Sequence, residues 1–249
     1  MLLLVESGAK AETTNSLSDA ETQGRQLARQ LLAGRPAACT NTGVLKIRDA
    51  KGKRSEIPVN CEVTVTATNW QSLYAAKATN QAVALLVIHA AGEANEYFYH
   101  TNRAGEVPVP GDISIPGHLF HDTRASGAEL MASFAGSDFW LADLGLEFFH
   151  WPQQKILKKE FRRNCSCMVL ESTNPDPAPN GYSRVVCWID EQSNGIVQAE
   201  AYDAQGKLLK EFYPKDIKKV KGQWQVQSLE IDNVQTGSRT RLEFGSKTP

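Results

Sequence analysis

Hydrophobic positions along the chain change their spacing once, near residue 36. In "SDAETQGRQLARQLLAG", Leu27, Leu31 and Leu32 recur with the period of a helix and form one apolar stripe. Ser18 and Glu21 have the spacing of a capping box, Gly34 is a natural stop, and Pro36 ends the run. The pattern predicts one amphipathic helix over about 19–33. Beyond it the period falls to two. "TGVLKIRD" and "EIPVNCEVTVTATNW" read as strands around the "DAKGKR" turn, and "QSLYAA" reads as a break. "QAVALLVIHAAGEANEYFYHTNR" holds two more strands. Residues 104–133 are rich in Gly and Pro and read as a long loop with short pieces of structure. From "KILKKEFRRNCSCMVLEST" onward, strands alternate with the turns "SNG", "AQGK", "VKGQ" and "QTGS", the signature of an antiparallel meander. The expected fold class is α+β: one highly curved antiparallel sheet, an unclosed β-barrel of about ten or eleven strands, with two or three helices over its concave face. Residues 16–246 are expected to form a single domain, and 1–15 to be a residual signal or a disordered terminus.

One segment departs from both patterns. "FAGSDFWLADLGLEFFHWPQQKIL" places five aromatic residues between Phe139 and Trp151. Ser137 and Asp138 are N-cap residues and Pro152 is a stop, so a helix over 139–151 is predicted. On it Asp143, Glu147 and His150 fall on one polar stripe, and large apolar residues fill nearly all the rest of the circle. That arc is wider than an ordinary surface helix needs, and the segment is too short to span a bilayer, which takes about 20 apolar residues. It is either a buried core helix or the wall of an apolar cavity. An eight-stranded barrel already has room for one small ligand, so a larger open sheet gives a cavity an obvious place. The candidate lining is Phe139, Trp140, Leu144, Phe148, Phe149 and Trp151.

Charge adds little. The formal net charge of -1 gives no general field for nucleic acid, and the basic runs "KKEFRR" and "KDIKKVK" sit in segments with strand character and read as solvated strand faces. "MLLLVESGAKAETT" has an apolar run shorter than the roughly 7–15 residues of a signal core. Its "AKA" nevertheless has the form of a cleavage site, so export is expected. Five cysteines are present. Cys165-x-Cys167 has the wrong spacing for a zinc knuckle. Cys39 and Cys61 flank one turn and Cys167 and Cys187 flank another, so two cross-strand disulfides, Cys39–Cys61 and Cys167–Cys187, suit an oxidising compartment. Buried free thiols suit the same pattern.

Three constellations bear on catalysis. His118, His121 and Asp122 in "GHLFHD" lack the i, i+4 spacing of helical metal ligands and read as surface residues. Ser137 lacks the second glycine of a nucleophile elbow and reads as a cap. Asp143, Glu147 and His150 could serve as an acid–base set but read as a solvent face. No catalytic residue, metal or cofactor is expected.

The motifs "GVLKIRDAKGKRSEIPV", "NW", "YAA", "FAGSDFWLADLGLEFFHW" and "CMVLES…GYSRVVCWIDEQSNGIVQAEAYDAQGKLLKEF" occur in an order that resembles the bacterial outer-membrane lipoprotein-sorting proteins, relatives of the periplasmic carriers LolA and LolB. The resemblance spans roughly residues 40–245. It implies an unclosed barrel with helices lidding an apolar cavity, a periplasmic location, and binding of lipid acyl chains or lipid-modified proteins. Donor and acceptor proteins of the cell envelope are the implied partners, with no nucleic acid and no integral membrane segment. A lipid-acting hydrolase in the same cavity and an interaction module with a filled core are the alternatives.

Overall fold

The computed structural model describes residues 18–78, 81–103, 124–220 and 223–245. Helix α1 spans Asp19–Ala33, with the capping box of Ser18 and Glu21 formed as expected. The strands are β1 (Cys39–Arg48), β2 (Arg54–Val65), β3 (Asn69–Ala78), β4 (Gln81–Ala90), β5 (Glu96–Arg103), β6 (Arg124–Ala125), β7 (Gln153–Arg162), β8 (Cys165–Thr173), β9 (Arg184–Asp190), β10 (Ile196–Tyr202), β11 (Leu208–Val220), β12 (Gln223–Asn233) and β13 (Arg239–Phe244). They form one thirteen-stranded sheet in the order β6-β5-β4-β3-β2-β1-β13-β12-β11-β10-β9-β8-β7. Neighbours are antiparallel throughout, and β6 and β7 form the two edges, so the barrel is not closed.

The sheet has more strands than the periodicity counts, for identifiable reasons. "QSLYAA" is not a break but the body of β3, paired in register with both β2 and β4. The long run from Lys155 to Thr173 is two strands, β7 and β8. They are joined by Arg163 (φ 49°) and Asn164 (φ 64°), a tight turn in the left-handed region made without the glycine that usually signals one. β6 is a two-residue strand within the segment read as a long loop.

The edges explain the aromatic segment. β6 and β7 are consecutive in sequence but lie at opposite edges, so residues 126–152 must run across one face of the whole sheet. That face is apolar on every strand. Leu45, Ile57, Val59, Leu85, Val87, Ile231 and Leu242 pack under Phe134, Phe139 and Leu141. Val185, Cys187, Ile189 and Ala199 pack under Phe148, Phe149 and Trp151. α1 covers the β7 edge of the same face with Leu27, Ala28, Leu31 and Leu32. Its Gly24 is obligatory, because a Cβ there would stand 2.5 Å from the backbone nitrogen of Lys155 on β7.

Neither expected disulfide is formed, and for one pair the register forbids it. Cys187 stands opposite Leu170 and Cys167 opposite Asp190. The two therefore point to opposite faces of the sheet, Cys187 into the main core and Cys167 into a smaller cluster with Val169, Val186 and Trp188, and no disulfide joins them. Cys39 pairs with Val63 and Cys61 with Asn41, which makes the two cysteines diagonal neighbours on one face, and both thiols are free. His118, His121 and Asp122, and the "AKA" terminus, lie outside the described residues.

Candidate functional site

The covering segment is not the continuous helix that the pattern predicts. It opens with 3₁₀ turns at Gly127–Met131 and Phe134–Gly136 and continues into a single α-helical turn, α2 (Leu141–Leu144). After Gly145, Leu146 adopts φ 52°, and a further 3₁₀ turn runs over Glu147–His150. The helix ends where the chain passes close over β5. A Cβ on Gly145 would stand 2.1 Å from the Tyr97 hydroxyl, so the chain can cross β5 here only as glycine. Nor are Ser137 and Asp138 the caps of α2. The N-cap position is held by Trp140, and Asp143, three residues on, reaches back to it, its carboxylate accepting from the Trp140 backbone N–H at 2.8 Å.

Breaking the helix redistributes the polar stripe, and Asp143, Glu147 and His150 are not a solvent face. Asp143 turns into the sheet, where Tyr182 Oη donates to both its oxygens at 3.0 and 3.1 Å. Lys210 of β11 completes this centre. Its ammonium, 2% exposed, lies 3.5 Å from Asp143 Oδ2, donates to the Asp138 carbonyl at 2.7 Å and sits 3.5 Å from the Trp140 ring centroid. Trp140 in turn stacks on Tyr182 at 4.5 Å. Burial lowers the Lys210 pKa to about 8, and Asp143 opposes the shift. Asp138 anchors the segment to β13 as well. Thr240 Oγ1 donates to it at 2.8 Å, and Ser238 Oγ at 2.6 Å. A buried charge this well surrounded holds the covering segment to the sheet in one register.

Glu147 and His150 go elsewhere. Glu147 lies beside Tyr97, and burial raises its pKa to about 7. His150 lies near His89, which stacks on Trp70 with centroids 3.6 Å apart. Burial is the main cause that lowers both histidine pKa values, that of His89 to about 4. Glu147 Oε2, His89 Nε2 and His150 Nε2 are buried without a hydrogen-bond partner among the described residues.

Between α1, the covering segment and the sheet lies a cleft of about 1060 Å³. Of the expected lining, Phe139, Leu144, Phe149 and Trp151 face it. Two expected residues do not. Trp140 is taken up in the Lys210 stack, and Phe148 lines a small adjoining space with Val185, Ala199 and Ile231. Leu31 and Leu32 of the α1 stripe also line the cleft, as do Tyr74, Phe212 and Leu229, which the periodicity does not single out. His89, Trp70 and His150 are among the residues that bring polar atoms to the wall, with Ser72, Asn95 and Gln154. Exposed lining residues mark the opening: Arg29, Arg35, Glu93, Asn194 and Val226. Arg35, just past α1, donates to the carbonyls of Thr66 and Ala67 in the β2–β3 turn at 3.2 and 3.0 Å, and so ties the end of α1 to that turn.

Ser137 is not poised as a nucleophile. It is buried, donates to the Phe134 carbonyl at 2.6 Å and accepts from the Phe139 N–H at 3.2 Å, so both functions of the hydroxyl serve the turn. No group of three or more potential metal ligands occurs among the described residues, and none of the described helices is long and apolar enough to cross a membrane.

Residues 121–248, just over half the chain, match the model of a family described as "Uncharacterized protein". The chain belongs to that family. No curated protein matches its sequence. Among solved structures, it is similar to a DUF1329 family protein from Desulfovibrio piger, at 18% identity and TM-score 0.68 with 92% of each chain covered. It is also similar to a domain assigned to outer membrane lipoprotein sorting from Vibrio parahaemolyticus, at 20% identity and TM-score 0.66, covering 91% of this chain and 92% of that one. A LolA superfamily protein from Nitrosomonas europaea aligns at 13% identity and TM-score 0.57, over 92% and 93% of the two chains. The fold is therefore LolA-like, as the sequence motifs imply, with the incomplete barrel and the covering segment in the expected relation.

Proposed function

We propose that this family member is a non-catalytic carrier of the bacterial periplasm that shields the acyl chains of a lipid or a lipid-modified protein. The observation that carries the reading is the cleft: an open, largely apolar space of about 1060 Å³ between a curved sheet and its covering segment. That volume is at the upper end of ordinary ligand pockets, roughly 300–1,000 Å³. The driving force is simple transfer. Each methylene moved from water into such a space gains about 0.8 kcal/mol, so a long chain is held firmly without a single directed bond. Release then needs the cleft to open or a better apolar acceptor to appear, which is what donor and acceptor envelope proteins would provide. Similarity to a sorting domain and a LolA superfamily protein supports this class of cargo. The reading takes 16–246 as one working unit and Phe139, Leu144, Phe149 and Trp151 as contacts of the chain.

A fluorescent fatty-acid probe tests the reading. It should brighten on entering the cleft, be displaced by long-chain lipids, and be excluded by Leu144→Asp. A probe that stays dim in the presence of folded protein would mean that the cleft holds no chain. A hydrolase is tested separately by ester turnover and its dependence on Ser137. The structural use of that hydroxyl predicts none.

A further inference from the structure

β11 and β12 are longer than the strands beside them. β10 pairs with β11 only as far as Phe212, and β13 pairs with β12 only from Ser228 onward. Beyond these points, residues 217–220 and 223–226 pair only with each other, among the described residues. The two strands therefore run past the sheet as a free arm. Ile217 and Val226 stand directly opposite in its register and so share one face. They are 52% and 40% exposed, an apolar pair that no described neighbour covers. Val226 also lines the cleft. The arm's apolar face is thus continuous with the cavity wall.

Charge at this end has one predominant sign. Arg25, Arg29 and Arg35 belong to the cleft, and Lys218 adjoins Ile217 on the arm. Glu93, Asp143 and Asp216 oppose them, but Asp143 is already matched by Lys210 and Asp216 accepts from Ser228 Oγ at 2.7 Å. Lys215 is matched by Glu230 at 3.1 Å. The remainder is cationic, on a chain whose formal net charge is -1.

We propose that this arm and the cationic opening beside it form a docking surface for an anionic lipid bilayer. The inference rests on the carrier reading and adds to it the place where cargo changes hands. A chain leaving the cleft through open water would forfeit about 0.8 kcal/mol per methylene along the way. An apolar pair seated at the acyl boundary, with arginines at headgroup level, removes that aqueous gap.

The test is co-sedimentation of the full chain with vesicles of phosphatidylcholine alone and of phosphatidylcholine mixed with phosphatidylglycerol. Binding should require phosphatidylglycerol, weaken with salt, and fall about ten-fold or more in the arm variant Ile217→Asp. That variant should still take up the fatty-acid probe, because Ile217, unlike Val226, does not line the cleft. Leu157 and Phe161 on the edge strand β7 are also exposed, at 43% and 72%, and Leu157→Asp, Phe161→Asp is the control that should bind vesicles unchanged. Wild-type protein that takes up the probe but ignores both vesicles would overturn the docking surface. So would binding that survives in the arm variant or is lost in the β7 variant. Vesicle binding by protein that never takes up the probe would support the arm and count against the carrier.

Discussion

Lys210 lies over Trp140, its Nζ 3.5 Å from the ring centroid, with Asp143 at the same distance on another side. The contact joins strand β11 to the covering segment through a buried charge, so it is strong only while both partners are present. Lys210→Met or Asp143→Leu alone should cost about 3–5 kcal/mol, because each leaves the other charge buried and unpaired. The double variant should cost clearly less than the sum of the two. Chemical denaturation of the four proteins gives the coupling directly; strict additivity would mean that the two charges do not interact.

Glu147 makes stability depend on pH in a known direction. Its folded pKa of about 7 exceeds the ordinary 4.5, so the folded protein retains a proton that the unfolded chain has already lost. The stabilisation is whole below pH 4.5 and is lost as pH rises through 7. His89 acts in the opposite sense: its pKa of about 4 makes stability whole above 6.5 and lost as pH falls through 4. Glu147→Gln should therefore raise the melting temperature more at pH 8 than at pH 5, by an amount corresponding to up to about 3 kcal/mol. An equal change at both values would contradict the buried, raised carboxyl.

Gly24 should tolerate nothing larger. With a Cβ only 2.5 Å from the Lys155 backbone, Gly24→Val must lift α1 off β7. A loss of about 1–3 kcal/mol is expected, with earlier hydrogen exchange in α1 than in β9. Wild-type stability in this variant would mean that the helix is not docked.

The sheet passes under both hydrophobic clusters, and Met131 and Phe212 touch both. Unfolding followed by tryptophan fluorescence and by far-ultraviolet circular dichroism should therefore give one coincident transition. Two separated transitions would divide the unit proposed for 16–246.

Much of this architecture is legible in the sequence, for physical reasons that also mark where legibility ends. α1 is readable because its cap, stripe and stop are all local. The meander is readable wherever a Gly- or Asn-bearing turn separates two alternating runs. The β7–β8 turn is the exception: it bears Asn164, but no glycine stands beside it, and Arg163, which shares its left-handed conformation, is a residue that does not mark a turn. The wide apolar arc at 139–151 correctly signals a segment covered on several sides. It cannot signal the left-handed turn at Leu146, nor that Gly145 lies against Tyr97, far away in sequence. Lys210 is the least legible of all. In "GKLLKEF" it looks like the polar position of a half-exposed strand, and only the fold brings Asp138, Trp140, Asp143 and Tyr182 around it.

The central claim is that the cleft holds an acyl chain. Native mass spectrometry of protein purified from the cell envelope, with organic extraction of whatever accompanies it, tests that most directly. The account predicts an adduct in unit stoichiometry whose extracted mass is that of a lipid or a lipid-modified peptide, and its loss in Leu144→Asp. A bare polypeptide mass that incubation with lipid leaves unchanged would contradict the account, and Phe139, Phe149 and Trp151 would then be core residues and nothing more.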